Sequence, residues 1–304
     1  MLIFTHNSML GHEGPVGHPE RPARLAAVLA ALEPLGLERR EAPWCARDAV
    51  ERVHPPAFVT AMEAAFPKPG DGMIALDSGD TFLTDGSREA AWRAAGAAVA
   101  GVDALIAGQA RAVFCAVRPP GHHAEPAQAM GFCIFNNIAI AALHALSHHG
   151  LARVAIVDFD VHHGNGSEAV ARGEPRLFFA STHQSPLYPG TGHAHDNGAH
   201  GNILNVPLPP GGDSAAWRSA MTHTVLPALR AFAPQMLFIS AGFDAHRADP
   251  LANMVLDAED FAWGTSALSQ AVAGAPVLSS LEGGYDLVAL ADSASAHVRA
   301  LLDH

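Results

Sequence analysis

Short apolar runs that stop in clusters of histidine, carboxylate and glycine govern what this chain can fold into. The clearest is Val154-Ala155-Ile156-Val157, which passes straight into Asp158-Phe159-Asp160-Val161-His162-His163-Gly164-Asn165-Gly166. Such a run reads as a strand buried on both faces, and its polar end is where a parallel α/β sheet places its chemistry. Period-two alternation would send Asp158, Asp160 and His162 to one face, where carboxylates and an imidazole converge on a cation. A single Asp or His there would read as a helix cap or a polar loop residue. Four such groups within residues 158–163 point to a metal or catalytic site.

The same unit recurs along the chain. Strands are expected at 2–5, 112–117, 153–157, 177–180, 236–241 and 276–280. Helical periodicity covers 22–35, 87–108, 136–149, 164–172, 213–231, 257–273 and 286–302, with short helices in 46–66 and a loop over 67–85. This alternation predicts an α/β fold with a mostly parallel sheet and helices on both faces. No repeat, low-complexity tract or linker interrupts it, so residues 1–304 read as a single domain. Polar clusters follow the strands in turn: Arg118-Pro119-Pro120-Gly121-His122-His123, the 158–166 segment, Ser181-Thr182-His183, Gly242-Phe243-Asp244 and Glu282-Gly283-Gly284-Tyr285. In a parallel sheet they share one rim.

Composition narrows the class of protein. Apolar residues make up 49% of the chain, ample for a core, and no apolar run approaches the roughly 18 residues of a membrane span. The N-terminus lacks the basic and long apolar segments of a signal peptide. Cys45, Cys115 and Cys133 lie far apart in apolar contexts, which predicts buried thiols in a reduced, cytoplasmic protein. A net charge of −12 argues against a nucleic-acid-binding surface and suits cationic substrates.

Asp160, His162 and Asp244 form the expected ligand set. Two carboxylates and one imidazole leave a position open for water or substrate, the pattern of catalytic zinc, although the same donors suit Fe(II), Co(II) or Mn(II). Taken alone, Asp244 also reads as a helix cap or a partner of Arg247. His122 and His123 follow a stiff Pro-Pro-Gly turn and can act as an acid–base pair if their pKa values differ, with Asp158 and Asn165 as the groups that tune them. Tyr285, on a Gly-Gly hinge, can donate to a tetrahedral oxyanion.

Together these segments resemble the zinc-dependent histone deacetylase superfamily, within the arginase/deacetylase fold, over nearly the whole chain. The N-terminal His18-Pro19-Glu20-Arg21-Pro22-Ala23-Arg24-Leu25, the tandem-histidine loop and the Gly131-Phe132-Cys133-Ile134-Phe135-Asn136-Asn137 segment after it carry the likeness, with the three later clusters in the family's order. The resemblance implies one zinc held by Asp160, His162 and Asp244, and a tandem pair in which Asp158 partners His122. It makes Tyr285 the group that polarises the scissile carbonyl. It places Phe132 and Tyr188 on the walls of an acyl-lysine channel, Asp80 at its rim and Arg24 beside an internal cavity. It also implies a structural potassium ion near Asp158, Asp160, His162, Ser181 and Thr182, held partly by main-chain carbonyls.

Departures from the pattern sharpen this reading. His-His-Gly-Asn, with Asn165 in place of an Asp, resembles the class II branch and makes His123 the less basic histidine. Gly164 and Gly242 stand where two-metal ureohydrolases carry additional Asp residues. The implied reaction is hydrolysis of an N-acyl amide, most simply acetyl, on lysine. Leu251 stands where a polyamine-preferring branch has a Glu, which favours acyl-lysine peptides. Acetylated polyamines, small acylated amines and a non-catalytic acyl-lysine binding role stay open as alternatives.

Overall fold

Strands that are apolar throughout can be buried only if helices cover both of their faces, and the chain is built that way. The computed structural model describes every residue except Ser78, Ala273 and His304. Its strands are β1 (Leu2–Thr5), β2 (Glu38–Glu41), β3 (Ile74–Ala75), β4 (Phe82–Leu83), β5 (Ala112–Cys115), β6 (Val154–Asp158), β7 (Leu177–Gln184), β8 (Ile203–Leu208), β9 (Leu237–Ala241) and β10 (Val277–Leu281). Its helices are α1 (Pro22–Leu32), α2 (Arg47–Val50), α3 (Pro56–Ala65), α4 (Ser87–Ile106), α5 (Asn137–Ser147), α6 (Asn165–Arg172), α7 (Ser214–Ala220), α8 (Leu226–Phe232), α9 (Ala258–Ala271) and α10 (Leu287–Leu302).

An 8-stranded sheet runs in the order β2-β1-β5-β10-β9-β6-β7-β8. Every neighbouring pair in it is parallel. The expected α/β architecture is the observed one. β3 and β4 pair separately and antiparallel, inside the segment expected to be a loop. The central strands β5, β6, β9 and β10 are buried at every position. Alternation along them divides the helices. Val113 and Leu278 face Gly101 of α4. The next residues, Phe114 and Ser279, meet His297 of α10, the first ring to ring at 5.7 Å and the second by a 2.8 Å hydrogen bond. Consecutive strand residues point to opposite faces, so α4 and α10 cover opposite sides.

The two edge strands, β2 and β8, fall outside the expected strands, each for its own reason. β2 reads Glu-Arg-Arg-Glu and is largely exposed, and charge on an edge discourages pairing with another chain. β8 carries Pro207, tolerated where one side of the strand has no partner. The single helix expected over 213–231 is three pieces, with a π-turn at Met221–Val225 between α7 and α8. Pro227 enters at the start of α8 and has no N–H to give to the preceding turn, so the ladder shifts there.

Candidate active site

β6 ends at Asp158, and residues 160–162 form a bend. Strand alternation therefore accounts for Asp158 only; the bend turns Asp160 and His162 toward each other. Phe159 anchors it. Its N–H donates to the Ser240 carbonyl at 3.2 Å, and its buried ring packs on Trp217, Phe243 and Phe261. Asp244 arrives from the loop after β9. His162 Nδ1 lies 3.1 Å from Asp160 Oδ1 and 3.1 Å from Asp244 Oδ2, and donor atoms of the three lie within 4.8 Å of one another. All three are buried. Arg247 pairs with Asp257, so Asp244 is not spent on the nearby arginine.

Charge in this cluster is unbalanced in the way a cation site requires. Burial, then the neighbouring Asp160, raise the pKa of Asp244. Burial opposes ionisation of Asp160 too, but His122 and His162 hold it well below the usual carboxylate range. His162 resists charging through burial, yet the hydrogen bonds and charges of Asp160 and Asp244 push it up to about 10. Two carboxylates thus draw positive charge to a buried point. Their donor set, two oxygens and one imidazole nitrogen, fits a divalent transition metal with an open side.

His122 and His123 stand beside it, ring centroids 4.0 Å apart. His122 Nδ1 donates to Asp158 Oδ2 at 2.9 Å, and its Nε2 lies 3.8 Å from Asp160 Oδ2. His123 Nδ1 is 2.8 Å from Asn165 Oδ1. Asn165 Nδ2 donates to Glu125 Oε1 at 2.8 Å, which turns the amide so that its oxygen faces His123. His123 accordingly carries its proton on Nδ1 and presents Nε2 as an acceptor. The two imidazoles are pushed apart. Burial works against a charged His122, but Asp160 and Asp158 outweigh it and raise its pKa well above 6.5. Burial, then His122 and His162, drive His123 well below 6.5.

Tyr285 completes the arrangement from the loop after β10. Burial keeps its phenol protonated, and Asp244 and Asp160 add to this against the opposing Arg24, so it is a hydrogen-bond donor. Arg24 lies with its guanidinium 4.7 Å from the Tyr285 ring centroid. It donates to the Gly284 carbonyl at 2.6 Å, to the Glu282 carbonyl, and to Glu20 at 3.2 Å. Through these bonds Arg24 braces the Gly-Gly hinge.

Two acids that sequence reasoning left without a role hold this loop. Glu282 is fully buried; its Oε2 accepts from the backbone N–H of Gly121 at 2.6 Å and of His122 at 3.1 Å. Burial pushes its carboxyl up to about 7. Asp249 accepts from Tyr285 N at 2.7 Å and from Leu251 N at 3.0 Å, and burial followed by Asp244 raises it to about 7. The only sequence signal was their position, Glu282 directly before Gly-Gly-Tyr and Asp249 within Asp-Pro-Leu.

A cavity of about 230 Å³ opens onto these groups, lined by His123, His162 and Tyr285 together with Phe132, Tyr188, Leu251 and Asp80. The structure thus gathers all four expected channel residues, and adds Leu187. Phe132 and Tyr188 present edge-on rings to Tyr285 and His123, at 5.7 and 5.1 Å. Phe132 adopts φ 67°, a conformation a bulky residue enters only under constraint. The constraint is visible: Thr81 Oγ1 accepts its N–H at 3.1 Å, and the His18 ring abuts it at 4.8 Å. A larger hollow of about 400 Å³, lined by Arg111, Gln270 and Asp303 among others, lies where β5 and β10 begin, at the opposite end of the sheet.

The remaining expected residues are distributed differently. Ser181 is the register neighbour of Asp158 across β6 and β7, with its hydroxyl engaged by His183 at 2.9 Å. Thr182 Oγ1 accepts from Trp217 Nε1 at 3.0 Å. Gly164 and Gly242 are glycines by necessity. A Cβ at Gly164 would overlap the Asp158 carboxylate, and one at Gly242 the Asp160 carboxylate. Neither position has room for the additional acid of a two-metal site.

Comparisons with known proteins agree with this geometry. The Histone deacetylase domain family matches residues 18–301. The chain is 45% identical to an uncharacterised protein of Synechocystis sp., over 99% of each chain. It is 39% identical to Histone deacetylase 14, chloroplastic, of Arabidopsis thaliana, covering 99% of this chain and 76% of that one. It is 40% identical to a Histone deacetylase-like amidohydrolase of Pseudomonas aeruginosa, over 88% and 73%. A crystal structure of the HDA15 HD domain superposes with a TM-score of 0.93 at 35% identity, covering 100% of this chain and 91% of that one. A sheet that gathers two carboxylates, a third histidine and an unequal histidine pair on one rim, in a chain matched nearly end to end, belongs to the histone deacetylase family.

Proposed function

We propose that this protein is a zinc-dependent deacetylase that removes an acetyl, or another acyl, group from the side-chain amine of acyl-lysine. Residues 1–304 act as one catalytic domain. The observation that carries the reading is the histidine pair, partnered by a carboxylate on one side and an amide on the other, directly beside Asp160, His162 and Asp244. Those three residues would hold one zinc per chain. Bound there, zinc polarises the amide carbonyl and makes water a competent nucleophile near neutral pH.

The chain's own residues do the rest. His123, kept neutral with Nε2 as its acceptor, takes the proton of the attacking water. Water oxygen bonds to the acyl carbon, the C–N bond breaks, and the histidine pair returns the proton to the departing amine. The second proton of the water passes from the nascent acid to the amine, so the products are a carboxylate and an ammonium group. Tyr285, protonated by virtue of its burial, donates to the carbonyl oxygen as it gains charge. Asp160 and Asp158 favour the charged form of His122, and a potassium ion near Asp158, Asp160, His162, Ser181 and Thr182 would help balance these acids.

Phe132, Tyr188 and Leu251 give the cavity apolar walls suited to a lysine methylene chain. Asp80 on the same wall favours a second reading, an acetylated polyamine whose distal ammonium it would meet. Three free, buried cysteines support a reducing compartment, the cytoplasm, and no described helix is long and apolar enough to cross a membrane. The test uses zinc-loaded protein and compares kcat/KM for an acetyl-lysine peptide, acetylputrescine and longer acyl-lysines at matched concentrations. The peptide is expected to turn over best, with Leu251→Glu moving preference toward acetylputrescine. Preference for acetylputrescine in the unaltered protein would establish the second reading. Full zinc occupancy with no hydrolysis of any acyl amine would replace catalysis by acyl-lysine binding.

A further inference from the structure

A second group of histidines stands at the end of the sheet opposite the catalytic rim, where α5 ends and β6 begins. His144 and His148 are four residues apart at the end of α5, a spacing that sets two rings on one helix face, and they stack at 4.7 Å with only 11° between their planes. The helix then stops. Gly150 takes φ 69°, and His149 N reaches back to the His144 carbonyl at 3.4 Å, which folds the third ring against the other two. His149 meets His144 edge-on at 5.0 Å and His148 at 4.8 Å. From α4, one oxygen of Asp103 lies 2.8 Å from His144 Nε2 and 2.7 Å from His149 Nε2. The His148 ring has no hydrogen-bond partner among the described residues, and donor atoms of the three histidines lie within 4.8 Å of one another.

We propose that His144, His148, His149 and Asp103 form a second metal site, taking a divalent late transition ion such as zinc and clamping α4 to the end of α5. Three imidazoles and a carboxylate are a donor set such ions prefer, whereas the harder magnesium and calcium favour oxygen. Metal binding needs neutral imidazoles, and burial lowers the pKa of His144 despite Asp103 beside it. A tetrahedral site with Zn–N near 2.1 Å has nitrogens about 3.4 Å apart, so the rings must draw in. Exposed His148 and partly exposed His149 are free to rotate that far. One group competes. Arg52 Nη1 sits 3.0 Å from His144 Nδ1, where metal at Nε2 would require a proton. Arg52 also holds Asp48 at 2.9 Å, so it has another partner to turn to when the ion enters.

The test equilibrates zinc-loaded protein by dialysis against buffered micromolar free zinc and counts metal per chain. The unaltered protein is expected to hold one equivalent more than the His148→Ala/His149→Ala variant. Arg52→Ala is expected to fill that extra equivalent at several-fold lower free zinc, since it removes the competing cation. Equal metal content in the unaltered protein and the double variant would overturn the proposal. Both proteins share the Asp160 site, so the difference between them reads the second site whatever that first site holds. His148 and His149 lie on the surface, away from the packed core, and circular dichroism and turnover of the double variant at saturating zinc report that it is folded.

Discussion

One atom separates the partners of two adjacent imidazoles: Asp158 offers His122 a carboxylate, while Asn165 offers His123 an amide oxygen. Replacing Asn165 by Asp brings negative charge to His123 Nδ1 and favours its charged form. The base must be neutral to accept a proton, so the acidic limb of the kcat/KM profile is expected at higher pH in Asn165→Asp. An unmoved limb would break the pairing between His123 and catalysis. Tyr285→Phe removes one donor to the developing oxyanion and is expected to lower kcat by about 10²–10³-fold. Zinc content should be unchanged, because Tyr285 is not among the ligand residues; normal turnover in this variant would remove its role. These residues were legible in sequence because each belongs to a short motif of unusual composition. Glu282 was not, because its partners are backbone N–H groups of a distant loop, which leave no trace in side-chain identity.

At the scale of elements, the buried Glu20 joins three of them. It pairs with Arg24 on α1 and with Arg118 beyond β5, at 2.7 Å to Nη2 of the latter, and lies 3.5 Å from His12 in the N-terminal loop. Glu20→Gln leaves two buried guanidinium groups short of their counter-charge and is expected to cost about 3–5 kcal/mol in denaturant unfolding. Burial opposes ionisation of Glu20, but Arg118 outweighs it and brings the carboxyl down to about 2 from 4.5. A group depressed on folding stabilises the protein above its unfolded value and loses that contribution as pH falls through the folded one. The unaltered protein should therefore lose stability between pH 4.5 and 2 more steeply than Glu20→Gln. Parallel slopes would show that this pair does not govern acid unfolding. The central strands could be read from their apolar runs, whereas β2, charged throughout, could not, and in β8 Asn205 and Pro207 interrupt the apolar pattern.

Over the whole molecule, the parallel sheet makes one rim out of loops scattered from residue 80 to residue 285. A metal bound there ties several of these loops together and binds only the folded chain. Chelation is accordingly expected to lower Tm, and added zinc to restore it. A Tm indifferent to chelator would remove the metal from the stability of the fold. Charge acts on the same scale. At −12 the molecule attracts cationic partners over a range set by salt, so, for the proposed acetyl-lysine peptides, KM is expected to rise with ionic strength when basic residues flank the acyl-lysine, while kcat holds.

Sequence alone determined the α/β alternation, the loops that carry chemistry and the set of residues able to bind a metal, because strand period, turn residues and ligand types are local properties. Tertiary structure decided two things that local order could not. Asp160 and His162 converge through a bend anchored by Phe159, not through strand parity, because β6 stops at Asp158. Arg24 became a brace for the Tyr285 hinge, because its donors find carbonyls nearly the whole chain away. Partners distant in sequence set these outcomes, and only the packed sheet brings such partners within a few ångströms.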